Sequence, residues 1–247
     1  MKINIKHSRL FVLVCLSFVI HIVQARELII YVSSSLPPFV MEGSRHGIAS
    51  EIIERALATQ GHSAKIMLSN NRRMEVDVRS GLADAGFAGI GPGSTDIFFS
   101  DAVVEFDNVA ISLANRQLQI NKLSDLSTLR VIAFPNALRV LGVEFADAVG
   151  HSPFYYEVGA QRSQLPMLNL DRGDVVVLER RAFLYFAHKS GTPTSNLARY
   201  TMHPIFKKIP RSLGFRRASD RDSFNAGLQA IRKSGEYEAI VRSYINE

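Results

Sequence analysis

Apolar and polar positions recur along the chain in two rhythms. A period near two marks strands and a period near 3.6 marks helices. Leu28 to Val32 is a short strand-forming run, broken by Ser33 to Pro38. Gly47 to Gln60 reads as an amphipathic helix. Ile48, Ile52, Ile53, Ala56 and Leu57 share one face, Glu51, Glu54 and Arg55 the other, and Gly61 supplies the stop. Lys65 to Leu68 is a second strand. Arg72 to Arg79 is a short helix ended by Gly81, and Ala85 to Ile90 a third strand running into a glycine-rich loop. Strands and helices in this alternation imply a parallel sheet with right-handed crossovers.

The order repeats after Lys122. Strands are predicted at Leu129–Phe134, Phe154–Val158 and Val175–Leu178. Helices are predicted at Ala137–Val149, Gln161–Leu170 and Arg180–Lys189, the second bent or begun late by Pro166. Asn108–Ala114 and Arg211–Phe215 are extended apolar segments at the junctions between the two units. Arg221–Asn246 is helical and broken at Ser234-Gly235. A chain that leaves one lobe, builds a second and returns would place a hinge at the two crossings and a cleft between the lobes. Ligands in open α/β sheets bind at the carboxyl ends of strands. That puts Ser33–Phe39 and Gly89–Asp96 on one cleft wall.

The first residues follow another pattern. Lys2, Lys6 and Arg9 precede the apolar run Leu10–Ile22, and Val23-Gln24-Ala25 resembles a small-residue cleavage site. Residues 1–25 are therefore expected to be a signal peptide, cleaved after Ala25, with the periplasm as destination. An uncleaved anchor is the alternative, against which the run is short for a bilayer span. The single cysteine, Cys15, lies within this run behind Val14, which argues against lipid attachment. The mature chain would have no disulfide and must rely on its core.

The full chain carries a net +6. Without Lys2, Lys6 and Arg9, 26 basic residues face 23 acidic ones, which is too mild a balance to suggest nucleic acid. The basic groups at Arg72-Arg73, Lys207-Lys208-Arg211 and Arg216-Arg217 read as solvated faces. His46, His62, His151, His188 and His203 show no metal-ligand spacing, and there is no Gly-x-Ser-x-Gly elbow. No cofactor is expected. The loop Gly89-Ile90-Gly91-Pro92-Gly93-Ser94 fits neither phosphate-loop template. Its glycines either bring backbone N–H groups to a ligand or only make a tight turn.

A series of segments resembles periplasmic solute-binding proteins of family 3, the amino-acid-type group. They are LPPFV, GIASEIIERAL, RSGLADAGFAG, IFFSDA, LSDLSTLRVIAF, LDRGDVVVLE and SGEYEAIVRSYI, in family order across essentially the whole mature chain. The resemblance implies a two-lobed type II periplasmic-binding fold, each lobe a mainly parallel sheet flanked by helices. Lobe one is expected over residues 26–113 and 210–247, and lobe two over residues 114–209.

Departures from the family pattern bear on the ligand. The usual Thr-x-x-Arg carboxylate clamp is missing from Gly91–Asp96. The lobe-two Gly-Thr/Ser loop is replaced by Phe134-Pro135-Asn136-Ala137. Glu179 stands where the amine-binding Asp would be. Arg73 is a candidate replacement for the clamp, or an exposed helix arginine. Glu179 would contact ligand or serve a helix N-terminus. Phe39 would stack on ligand or fill the core. The expected ligand-binding set is Ser35, Phe39, Arg73, Gly91, Ser94, Asn136 and Glu179, around a small polar or anionic solute. The implied protein is monomeric and delivers the solute to an importer permease. A sensory role with a membrane receptor, or a prephenate-type dehydratase with Glu179 as acid, are the alternatives.

Overall fold

The computed structural model describes residues 25–33, 36–41, 47–69, 71–88, 90, 96–190 and 194–245. The expected signal peptide, apart from Ala25, lies outside them, as do Ser35, Gly91 and Ser94.

The described chain forms two five-stranded sheets. The first begins with β1 (Glu27–Ser33), α1 (Ile48–Ala58), β2 (Ser63–Ser69), α2 (Asn71–Ser80), β3 (Ala85–Phe87) and β4 (Phe98–Phe106). The second contains β5 (Asn108–Leu113), β6 (Arg130–Ala133), α3 (Ala137–Leu141), α4 (Val143–Gly150), β7 (Phe154–Glu157), α5 (Gln164–Asn169), β8 (Val175–Glu179), α6 (Arg180–Lys189) and β9 (Tyr200–His203). The chain then returns to the first sheet as β10 (Ile209–Phe215) and ends in α7 (Ala218–Ser234) and α8 (Glu236–Ile245).

The strand orders are β2-β1-β3-β10-β4 and β7-β6-β8-β5-β9. Three strands in each sheet run parallel, as the alternating pattern predicts: β2, β1 and β3, and β7, β6 and β8. Each sheet is mixed but mainly parallel in strand direction: one strand, β10 or β5, enters antiparallel to both neighbours. The expected end of lobe one at residue 113 moves accordingly. Asn108–Leu113 pairs with β8 and β9, so the chain changes sheets at Asp107.

The helix predictions hold with local changes. Ile48, Ile52, Ile53, Ala56 and Leu57 are all fully buried, as the stripe on α1 requires. The helix expected over 137–149 is two helices, because Gly142 at φ 88° breaks it. Pro166 lies in the first turn of α5, where its missing N–H costs nothing. The tail breaks at Gly235 as expected. Midway along α7, a Cβ on Gly227 would collide with the Ala56 carbonyl. The bare backbone there lets α1 and α7 pack closely over the first sheet.

Each sheet is fastened by the same device. Asp84, just before β3, donates its N–H to the Ile29 carbonyl at 2.8 Å and accepts from the Ile29 N–H at 2.9 Å. Asp174, just before β8, does the same to Arg130, at 2.9 Å and 2.8 Å. Arginines complete both: Arg26 on Asp84, and Arg130 with Arg116 on Asp174. The Arg130 hydrogen bond holds the Asp174 carboxyl below its ordinary range, against the effect of burial.

Candidate functional site between the two sheets

The carboxyl ends of the parallel strands in both sheets point toward the crossings. In the first sheet Phe106, the last residue of β4, pairs with Ile209, the first of β10. In the second sheet Glu179, the last residue of β8, pairs with Asn108 immediately after the crossing. Ser33, Ser69 and Phe87 in the first sheet, and Ala133, Glu157 and Glu179 in the second, are therefore the strand ends on the side of the crossings.

Asp107 is bound tightly to the second lobe. Its N–H donates to Glu179 Oε1 at 3.2 Å, its carbonyl accepts from the Arg180 N–H at 2.9 Å, and its Oδ2 accepts from Arg180 Nε at 2.7 Å. Glu179 also caps α6, accepting from the N–H groups of Arg181 at 2.6 Å and Ala182 at 3.1 Å. Its side chain is buried. Burial pushes its carboxyl up to about 7, against the Arg181 charge and the three backbone donors. Of the two roles open to Glu179 in the sequence, the structure displays the helix-terminal one.

Phe39 likewise takes its core role. It is fully buried, and its ring centroid lies 4.6 Å from that of Phe106. The pair is sandwiched between cations. Arg181, from the second lobe, sits 5.7 Å from the Phe39 centroid, and Arg211 sits 4.9 Å from the Phe106 centroid. Arg181 also donates to the Glu105 carbonyl at 3.0 Å, a direct bond between lobes. Arg73 stands in the first turn of α2, at the carboxyl end of β2. Its side chain is 74% exposed and 3.8 Å from Asp77. Asn136 sits at the carboxyl end of β6 in a left-handed conformation, with its side chain exposed.

Glu157 was not singled out by the sequence. Its carboxylate accepts from the N–H of Asn136 at 2.6 Å and of Leu138 at 3.1 Å, and from the Tyr155 hydroxyl at 2.8 Å. Burial alone would raise its pKa, but these bonds, with a further one from the Ala137 N–H, hold it below the ordinary value. Burial and the bond to Glu157 push the Tyr155 hydroxyl up. The backbone donors that follow β6 are thus occupied by the protein's own carboxylate. A shallow depression of about 560 Å³ against α4 belongs to the second lobe alone, with no residue of the first lobe lining it. Among the described residues, no group of three His, Cys, Asp or Glu side chains is placed to hold a metal ion.

No family model and no curated protein sequence matches this chain. Solved structures do. A histidine kinase sensor domain with similarity to periplasmic binding proteins superposes with a TM-score of 0.67, covering 90% of this chain and 96% of that one at 16% identity. The chain has the two-lobed periplasmic-binding-protein fold. A substrate-binding protein of a polar amino acid ABC uptake transporter from Streptococcus thermophilus gives 0.64, with 90% and 86% covered at 16% identity. The ancestral amino-acid-binding protein AncCDT-1, a precursor of cyclohexadienyl dehydratase, gives 0.65, with 89% and 95% covered at 14% identity. The resemblance drawn from the motifs holds at the level of this fold.

Proposed function

We propose that the chain is an exported, monomeric solute-binding protein. It captures a small polar or anionic solute between its lobes and presents it to an importer permease. The observation that carries this reading is the meeting of both sets of strand carboxyl ends at two adjacent crossings. Fold alone does not license function, so the site must supply the argument. Arg73, the loop containing Ser35, the Gly91–Ser94 loop and Asn136 surround the cleft in this reading. Phe39 supports the wall from beneath, and Glu179 holds the crossing in position. The pivots would be Phe106-Asp107 and Lys207-Lys208, since Asp107 and Phe206 are each packed on the second lobe.

Ordinary L-amino acids are poor candidates. The usual clamp arginine is missing, and Glu157 already occupies the amides of Asn136 and Leu138. A thermal-shift panel of amino acids, dicarboxylates, sugar acids and aromatic acids, with small-angle scattering to read closure, tests the proposal. Strong stabilisation by an ordinary amino acid would overturn the ligand class. Failure of every solute to close the lobes would overturn the function.

The likeness to a kinase sensor domain favours one second reading, in which the same closure signals to a membrane receptor. Co-purification with a permease or with a receptor separates the two. A dehydratase role is disfavoured by Glu179, whose oxygens face the backbone of Asp107, Arg181 and Ala182. Incubation with prephenate should yield no phenylpyruvate.

A further inference from the structure

Arg181 is the arginine that touches both lobes. It lies in the first turn of α6, directly after the carboxyl end of β8. From there its side chain reaches the first lobe. Nη1 donates to the Glu105 carbonyl at 3.0 Å, and the guanidinium lies 5.7 Å from the centre of the Phe39 ring. The same Nη1 makes a longer contact, 3.4 Å, with Glu179 Oε1. One nitrogen thus fixes the group against both lobes, and an aromatic face supports it. Neither Nε nor Nη2 makes a hydrogen bond among the described residues. Neither is sealed from solvent as Arg211 Nε is, and 26% of the side chain is exposed.

Other arginines of the region lack this combination. Arg180 Nε is taken by Asp107 at 2.7 Å, Arg73 extends 74% exposed beside Asp77, and Arg211 Nε is buried. Arg181 joins a fixed guanidinium to an uncommitted Nε–Nη2 edge. Two parallel donors on one edge match the two oxygens of a carboxylate. Glu179 limits what else the solute can carry. A carboxylate has about four acceptor sites. Oε1 of Glu179 accepts from the Asp107 N–H and from Arg181 Nη1, and Oε2 from the N–H groups of Arg181 and Ala182. The side chain is buried and its acceptor sites are used, so none is left for an ammonium group.

We propose that Arg181 receives the acid group of the solute through Nε and Nη2 at the junction of the lobes, and that the solute is a small carboxylic acid with no amine beside that group. The inference rests on the interlobe binding site proposed above and names the class of its solute. A guanidinium that is already fixed needs little further ordering, so more of the charged hydrogen bonding appears as affinity. Its backbone belongs to the second lobe and its Nη1 is held by the first. An acid on the free edge therefore sits where both lobes can close on it, and its affinity differs between open and closed states.

The test uses lactate, succinate and phenylacetate as probes of the full mature chain. Each is paired with its neutral amide and with its amino counterpart: L-alanine, L-aspartate and phenylglycine. Calorimetry should detect binding of at least one acid, and of neither the amide nor the amino acid matched to it. Arg181→Gln removes the charge and the fork. Arg181→Lys keeps the charge, and with it the means to reach the Glu105 carbonyl and the Phe39 face, but offers no parallel pair of donors. Both should weaken binding by about tenfold or more, and Arg181→Lys should do so with a melting temperature close to that of the wild type. If an acid binds and Arg181→Lys binds it equally well, the assignment of Arg181 is wrong and the interlobe site stands. If an amide or amino counterpart binds as tightly as its acid, the solute class is wrong. If no acid binds, the inference also fails. Closure by some other solute, read by small-angle scattering, would then preserve the proposed function, and closure by none would remove both.

Discussion

Glu157 Oε2 accepts a hydrogen bond from the Asn136 N–H at 2.6 Å, so one strand end of the second lobe closes the amide row that follows its neighbour. Bonds from neutral donors to a charged acceptor are among the stronger ones. Glu157→Ala should destabilise the protein by about 1–2 kcal/mol at pH 7, and Glu157→Gln by less. Urea denaturation midpoints check this. Because the folded pKa is depressed, the Glu157 contribution is complete above its ordinary value and is lost as pH falls through the folded one.

Glu179 should act with the opposite sign. Its folded pKa, about 7, exceeds its ordinary 4.5, so the folded state holds a proton that the unfolded state has released between those values. Stability from this group therefore declines as pH rises from about 4.5 to about 7, by up to about 3 kcal/mol. Glu179→Gln cannot titrate. The difference between wild type and variant, measured across that window by denaturant unfolding, isolates the slope from other groups. Identical slopes would refute the assignment.

The paired aspartates predict matched losses. Asp84→Ala or Asp174→Ala leaves a backbone N–H without its acceptor, while Arg26 keeps Asp220, and Arg116 and Arg130 keep Asp171. Each change should cost about 1–3 kcal/mol. For Asp174 the stabilisation is present above its ordinary pKa and disappears as pH falls through the lowered folded value. Differential scanning calorimetry would register both losses.

Gly227→Ala tests the contact between α1 and α7. In most helices this change is favourable, by about 1 kcal/mol. Here the added methyl meets the Ala56 carbonyl, a backbone atom that cannot swing aside. The expected result is a net loss of about 1–3 kcal/mol, read as a lowered melting temperature.

Much of the fold was legible because burial imposes periodicity. The stripe Ile48, Ile52, Ile53, Ala56, Leu57 predicted α1, and short runs such as Val175–Leu178, which the structure buries fully, predicted strands. Two strands were not anticipated. β4 alternates irregularly between exposed and buried positions, and β9 is only four residues long. The sheet membership of Asn108–Leu113 was misplaced because an apolar extended run does not reveal which neighbours it pairs with. The site was less legible. Charge alone grouped Arg211 with solvated lysines, although an aromatic neighbour more than a hundred residues earlier in the chain removes it from water. Glu157 gave no signal, since all of its partners but the Tyr155 hydroxyl are backbone amides, which carry no residue type.

The placement of β10 between β3 and β4 has a consequence for how the molecule assembles. The inner globule, from β5 to β9, is one unbroken stretch of chain and can be finished as soon as it emerges. The outer globule lacks a central strand until that stretch has been completed. Maturation therefore runs from the middle outward: the part begun first is sealed last, and a stalled or truncated chain would carry a finished inner half on an open-edged outer one.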